Sequence, residues 1–425
     1  MRRLLAALLA LLLVSLPGAP ALAQATPTAP AAAGALYVAD PAAAALHAFS
    51  LTNGDLLDTL EGVSINAHAG FLPLPDGRLL LIDDAADELI AVTLSGDTLA
   101  ITGRASVPDA VSHFAVDPAI THVIVGAAND DAPLTLVDLA DWSTQALDVE
   151  AGEAGVMLGG DPLTIFHRND ALLRVETYPA TAFVDGAATP TATVATGAFG
   201  HGEAIDHARS HLYMATDDGV DVVAFSPETL TYETTWPWEA DGREGGRAYF
   251  ARLSPAGSHL ITYVANRTAP EAEWGDYEND LYLVDLETGE VTRRELAPGL
   301  VYRFALAGNA ALFHAIHPDG DTALIVDADP ASATFGQTLH TVPLPPLADG
   351  PVAGASPWEA ESRATAISPD GATGFVSQGG EGRIHVIDIA TGEITGEITT
   401  PTDLSGGGYL IAVQPGAPLA DTIAR

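Results

Sequence analysis

The chain contains no cysteine. That excludes thiolate metal sites, thiol nucleophiles and disulfide staples, so any metal must be held by imidazole or carboxylate. Lysine is absent too: all 17 basic residues are arginines, set against 56 acidic residues for a formal net charge of −39. A surface this acidic repels nucleic acid and anionic membranes. Solubility or adaptation to salt explains it as plainly as any ligand does. Beyond the N-terminus no segment holds 18 uninterrupted apolar residues, which argues against membrane insertion. Neither Gly-x-Ser-x-Gly nor His-Glu-x-x-His occurs, so the two most readable hydrolase signatures are missing and the chain reads as a non-enzyme.

The N-terminus is a separate object. Arg2 and Arg3 precede the apolar run Leu4 to Leu16, and small residues at Ala21, Ala23 and Ala25 frame cleavage sites. Residues 1–25 therefore read as a secretory signal peptide, 26–34 as a flexible Thr/Pro/Ala linker, and 35–425 as one domain that is periplasmic or extracellular. Export without disulfides requires a large core.

That core is announced by repetition. Arg383 to Ile398 alternates apolar and polar residues, turns at Thr391-Gly392 and alternates again, which is one half-buried antiparallel hairpin. Leu281 to Glu290 is nearly a copy, as are the strands beginning at Leu46, Leu89 and Leu134, and weaker versions begin at Leu172, Val220 and Leu324, the repeats spaced about 38 to 61 residues apart. Short strands at this period are all-β and predict an eight-bladed β-propeller, or seven-bladed if the weakly patterned unit Gly155–Val194 belongs to a neighbour. The chain opens with a hairpin lacking its first strand and closes with the lone strand Gly408–Val413. Together they make one blade that ties the ring shut. Two stretches exceed the period, Ala269–Asn279 and Pro343–Glu361, and are candidate contact loops.

In a propeller the starts of the inner strands converge on one mouth of the central channel. Reading those starts gives His68, His113 and His201 on one arc, and Arg247, Arg303 and Arg363 on the other, with Tyr409 from the closing blade and Glu153 beside the fourth. Three imidazoles suit zinc, with Glu203 or Glu153 completing the shell. The arginines suit a carboxylate or phosphate-like anion or substrate, although salt bridges to the abundant acids are the plainer reading. These positions scatter by one or two residues when counted back from the inner turns, and a slip of one reverses a strand side chain. His314 and His317 form an alternative pair, while His122, His167, His259, His340 and His385 read as structural.

The stretch Val194-Ala-Thr-Gly-Ala-Phe-Gly-His-Gly-Glu-Ala204 and the hairpin Gly382–Ile398 resemble the periplasmic zinc chaperones of the AztD kind, in which a Thr-Gly-Ala-Pro-His-His-Gly-like stretch starts an inner strand. His201 is the residue that carries over, and Gly200 stands where that family has the first histidine of its pair. The hairpins also resemble YncE-like and quinoprotein-like propellers. The AztD resemblance implies a zinc-binding propeller that passes its metal to the solute-binding protein of an ABC zinc transporter; the chain itself is expected to be a monomer. Two other functions compete with it. One is a metal-free extracytoplasmic interaction scaffold working through its long loops. The other is a lactonase-like or quinone-dependent enzyme, for which the strand starts offer no convincing ligand set.

Overall fold

A computed structural model describes residues 34–66, 68–128, 132–150, 154–186, 189–198 and 201–424. The expected signal peptide, almost all of the expected linker, Glu153 and Gly200 lie outside the described residues. No helix among those described is long and apolar enough to cross a membrane.

The chain folds into eight four-stranded antiparallel sheets, each running outward from the channel in sequence order except the one that closes the ring. There the innermost strand is Tyr409–Val413, paired with Ala35–Asp40 so that Ala39 faces Tyr409 and Ala35 faces Val413. The seal is hydrophobic as well as hydrogen-bonded: Leu36, Val38 and Phe49 of this blade pack with Ala366, Phe375 and Ile384 of the last one. An eight-bladed propeller closed by a shared blade is therefore the observed architecture.

Local chemistry makes the blades. In the Arg383–Asp388 hairpin, Asp388 Oδ1 accepts the N–H and hydroxyl of Thr391, and Gly392 takes φ +70° to complete the turn into Ile394–Thr399. The second and third strands of a blade lie between sheets, so their side chains are buried on both faces, as in Arg78–Asp83. Outer strands such as Thr98–Ser106 alternate with solvent.

The weakly patterned fourth unit is a full blade with strands Ala154–Gly159, Thr164–Asn169, Arg174–Pro179 and Ala192–Ala195. Its pattern is faint because its interior is polar. His167 Nδ1 lies 3.2 Å from Glu176, which also accepts hydrogen bonds from Arg174 Nε at 2.8 Å and Tyr178 at 2.9 Å. Burial alone would raise the Glu176 carboxyl, but these hydrogen bonds bring it down to about 2.

The channel is not empty. After Val413 the chain turns back past the Pro75 carbonyl, which accepts the Gly416 N–H. It then climbs antiparallel to the third blade's inner strand, Val111–Val116: Val116 N–H donates to Thr422 O at 2.7 Å, and Ala424 N–H to Phe114 O at 3.0 Å. Asp421 faces Arg252 at 3.8 Å. Beside this tail lies a cavity of about 580 Å³ lined largely by apolar residues, among them Phe71, Phe304, Ile367, Leu410 and Leu419.

Candidate metal centre at the channel mouth

His68, His113 and His201 come from three blades, and each has one ring nitrogen within 4.8 Å of the other two. Distinct local devices aim the three rings. His68 sits in the turn before the second blade's inner strand, Phe71–Pro73. Asn66 builds that turn by accepting the N–H groups of His68 and Ala69, both at 2.9 Å, while its amide donates to Asp84 and the Val111 carbonyl. His113 lies just past a β-bulge, where the pairing with His122–Ala127 shifts between Val111 and His113. The extra residue re-aims the side chain toward the hub. His201 is followed by Gly202 at φ +96°, where an added Cβ would meet the Phe250 N at 2.9 Å. Only glycine allows the chain to run this close to the sixth blade's inner strand.

The rings are close but not bonded to one another. His68 and His113 have centroids 5.2 Å apart at 77°, and His68 and His201 are 5.7 Å apart at 29°. Tetrahedral zinc with nitrogen ligands at about 2.0–2.1 Å needs nitrogens about 3.3 Å apart, so small ring rotations close the set. His68 is exposed while His113 and His201 are half-buried, which leaves the centre open on the solvent side.

Glu203 stands apart from this trio. It is fully buried, with Oε1 3.9 Å from His113 Nε2, and it is not part of the group whose ligand atoms converge. Its place is beside His113, where a carboxylate can orient an imidazole.

The opposite arc separates the three arginines. Arg303 lies at the mouth: it donates to the His68 carbonyl at 2.9 Å, and its guanidinium carbon stands 5.8 Å from the Phe250 ring centre and 5.4 Å from that of Tyr409. Arg363 does not reach the mouth cavity. It is buried, forks onto Asp321 at 2.7 and 3.0 Å and donates to the carbonyls of Ser377 and Pro345, so its charge serves the seventh–eighth blade junction. Arg247 pairs with Asp217 at 3.3 Å on a half-exposed surface and is not among the residues lining the mouth. Sequence position brought all three near strand starts; pairing with acids took two of them away.

Other mouth residues were not among the strand starts. Arg267 follows Asn266 at the end of a second strand, His259–Asn266, and is held between Tyr249 at 4.7 Å and Trp358 at 5.0 Å. Its one signal in the sequence is that it heads the acidic Ala269–Asn279 insertion. Tyr302 completes the wall, 6.4 Å from Trp358, and burial pushes its hydroxyl up to about 12. The two insertions meet here: Trp274 is buried and donates to Val352 O, and Ser356 donates to Glu271. Together the trio, Tyr249, Arg267, Tyr302, Arg303 and Tyr409 enclose a cavity of about 350 Å³, floored in part by Ala424 of the tail.

His314, one of the alternative pair, is buried below the mouth with neither ring nitrogen hydrogen-bonded, and burial followed by the nearby Arg363 charge drives its imidazole down to about 3. His317 lies on a turn 4.0 Å from Asp319.

Comparison with known proteins supports the fold. No family model matches the chain, and no curated protein matches it. Among solved structures, AztD from Citrobacter koseri is similar in two forms, with TM-scores of 0.62 and 0.63 at 13% and 14% identity, covering 90% of this chain and 98% of AztD. The dihydro-heme d1 dehydrogenase NirN in complex with DHE is similar at TM-score 0.60 and 12% identity, covering 90% of this chain and 75% of NirN. The resemblance read from Val194–Ala204 thus has a counterpart in three dimensions, as a shared propeller. Because a dehydrogenase shares that propeller, the fold alone assigns no chemistry.

Proposed function

We propose that this protein is an exported metal-binding propeller that holds zinc at its channel mouth through His68, His113 and His201 and gives it up to a partner docking on that face. The observation that carries the reading is the convergence of three imidazoles, from three separate blades, to within 4.8 Å. Three neutral nitrogen donors with the fourth position open to solvent hold zinc while leaving room for an incoming ligand, which is what a carrier needs. Binding requires deprotonated imidazoles, so uptake releases protons and weakens as pH falls. Glu203, beside His113, favours the ring orientation that the metal requires. The AztD resemblance supplies the biological setting: a periplasmic carrier whose acceptor is the solute-binding protein of a zinc importer.

The reading is tested by isothermal titration of the secreted chain with zinc. It expects binding tighter than micromolar, lost in His113→Ala and His201→Ala variants that still melt like the parent. Absence of such binding in the parent protein refutes it.

A second reading, a metal-free interaction scaffold, is favoured by the joined insertions, which present Val352 at 67% exposure and Trp358 at 43%. A partner captured equally well by the zinc-free histidine variants, and lost when 350–358 is shortened, would favour it.

A further inference from the structure

The zinc reading leaves the opposite wall of the mouth without a role, and the wall is unusual for this chain. Arginines here are generally neutralised: Arg78, Arg104, Arg209, Arg293, Arg363 and Arg383 all lie within 4.0 Å of a carboxylate. Arg267 has no ion-pair partner among the described residues, although it heads an insertion containing Glu271, Glu273, Asp276 and Glu278. Instead its guanidinium lies over the Tyr249 and Trp358 rings, at 4.7 and 5.0 Å. Stacking fixes the plane of the fork without using its N–H donors. Arg303 stands on the same cavity wall, tied to the backbone of His68.

Across the cavity, the three converging ligands are neutral imidazoles, and no carboxylate joins the group. A divalent ion held there would gain no charge from its three direct donors, only the field of Glu203 behind His113, and would keep one coordination position open. A dication at the trio and a guanidinium lining the same 350 Å³ cavity would make a site for an anion that can ligate with one end and accept paired hydrogen bonds with the other. Planar, bidentate and small, a carboxylate meets both demands.

We infer that a carboxylate supplies the fourth ligand of the bound metal and is clamped by Arg267, with Arg303 beside it. The inference rests on the zinc reading and deepens it: the protein takes its metal as a carboxylate complex, or surrenders it to a carboxylate. The carboxylate is either a free small acid or an Asp or Glu side chain of a partner, and the chemistry at the site is the same.

The test begins with zinc alone in carboxylate-free buffer, which judges the zinc reading by itself; no zinc binding removes both readings. Zinc-loaded protein is then titrated calorimetrically with succinate and, separately, with a short acetylated Glu-containing peptide. Saturable binding of succinate identifies a free acid, and binding of the peptide alone identifies a partner side chain. Arg267→Gln is expected to weaken that binding at least about tenfold while leaving zinc affinity unchanged, and Arg267→Lys to recover only part of it. Arg267 touches the mouth wall rather than the core, and melting curves verify that the variants fold. The inference is overturned if zinc binds tightly but neither probe does, if zinc-free protein binds the probes equally well, or if Arg267→Gln binds them like the parent.

Discussion

The two arcs of the mouth were built by different means. The imidazole arc comes from the beginnings of inner strands, the most regular positions in a repeating fold. His68, His113 and His201 stand at or just before the inner strands of three units, so the repeat brings them near one hub and a turn, a bulge and a glycine aim them. The aromatic and guanidinium arc comes partly from inner strands and their starts, through Tyr249 and Arg303, and partly from exceptions to the repeat: Arg267 from the end of a second strand, Trp358 from an insertion, Tyr409 from the closing strand and Ala424 from a tail inside the channel. Periodic sequence therefore places the three imidazoles, while the parts that interrupt the period shape the rest of the cavity around them.

The contrast is sharpest between Arg363 and Arg267. One guanidinium is buried and charge-paired; the other lies over two aromatic rings at the mouth, with no ion pair among the described residues. Arg363→Ala leaves Asp321 buried without its partner and is expected to cost about 3–5 kcal/mol of stability, seen as a large drop in melting temperature. The same melt on Arg267→Ala should move little. Equal destabilisation by the two would erase the distinction. On the imidazole arc, His201→Ala or His113→Ala is expected to lower zinc affinity by more than about 100-fold, exceeding the 10–100-fold typical of groups that only support a ligand. Glu203→Gln tests that supporting role: zinc affinity should fall by about 10–100-fold without being lost, read by competition with a coloured chelator. If Glu203→Gln abolishes binding as the histidine variants do, the carboxylate is a direct ligand and the trio is a quartet.

The smallest expected effect lies below the mouth. His314 stays neutral in the folded protein until about pH 3, whereas in the unfolded chain it takes a proton near its ordinary value of 6.5. The unfolded state then binds more protons between those values, so stability falls as pH drops through that window. His314→Leu removes this term and is expected to narrow the stability difference between pH 7 and pH 5.5 by about 1 kcal/mol. Denaturant melts at the two pH values measure it, and an unchanged difference would mean that the ring is not the responsible group.

Legibility in the sequence followed the same division. The hairpins beginning at Leu281 and Ile384 announced their blades because alternation and Asx-type turns are local. The fourth blade was faint because His167, Asn169 and Glu176 occupy interior positions that pattern reading assigns to apolar residues. Inner-strand starts could be named but not aimed, since the bulge at His113 is set by pairing with a neighbouring strand. Arg247 and Arg363 read like Arg303 in one dimension, because the acids that claim them, Asp217 and Asp321, lie 30 and 42 residues away. Nothing in the polar, proline-bearing segment after Val413 foretold that it would enter the channel.

What the sequence by itself determined is whatever depends on neighbours a few residues apart: strand alternation, turn chemistry, the spacing of the repeats and the histidines near their starts. Only the tertiary structure decided which charges are spent in pairs, which ring nitrogens converge and which insertion meets which. Those outcomes depend on distances between groups that closure of the ring brings together, and a guanidinium goes to the nearest carboxylate in space regardless of its place along the chain.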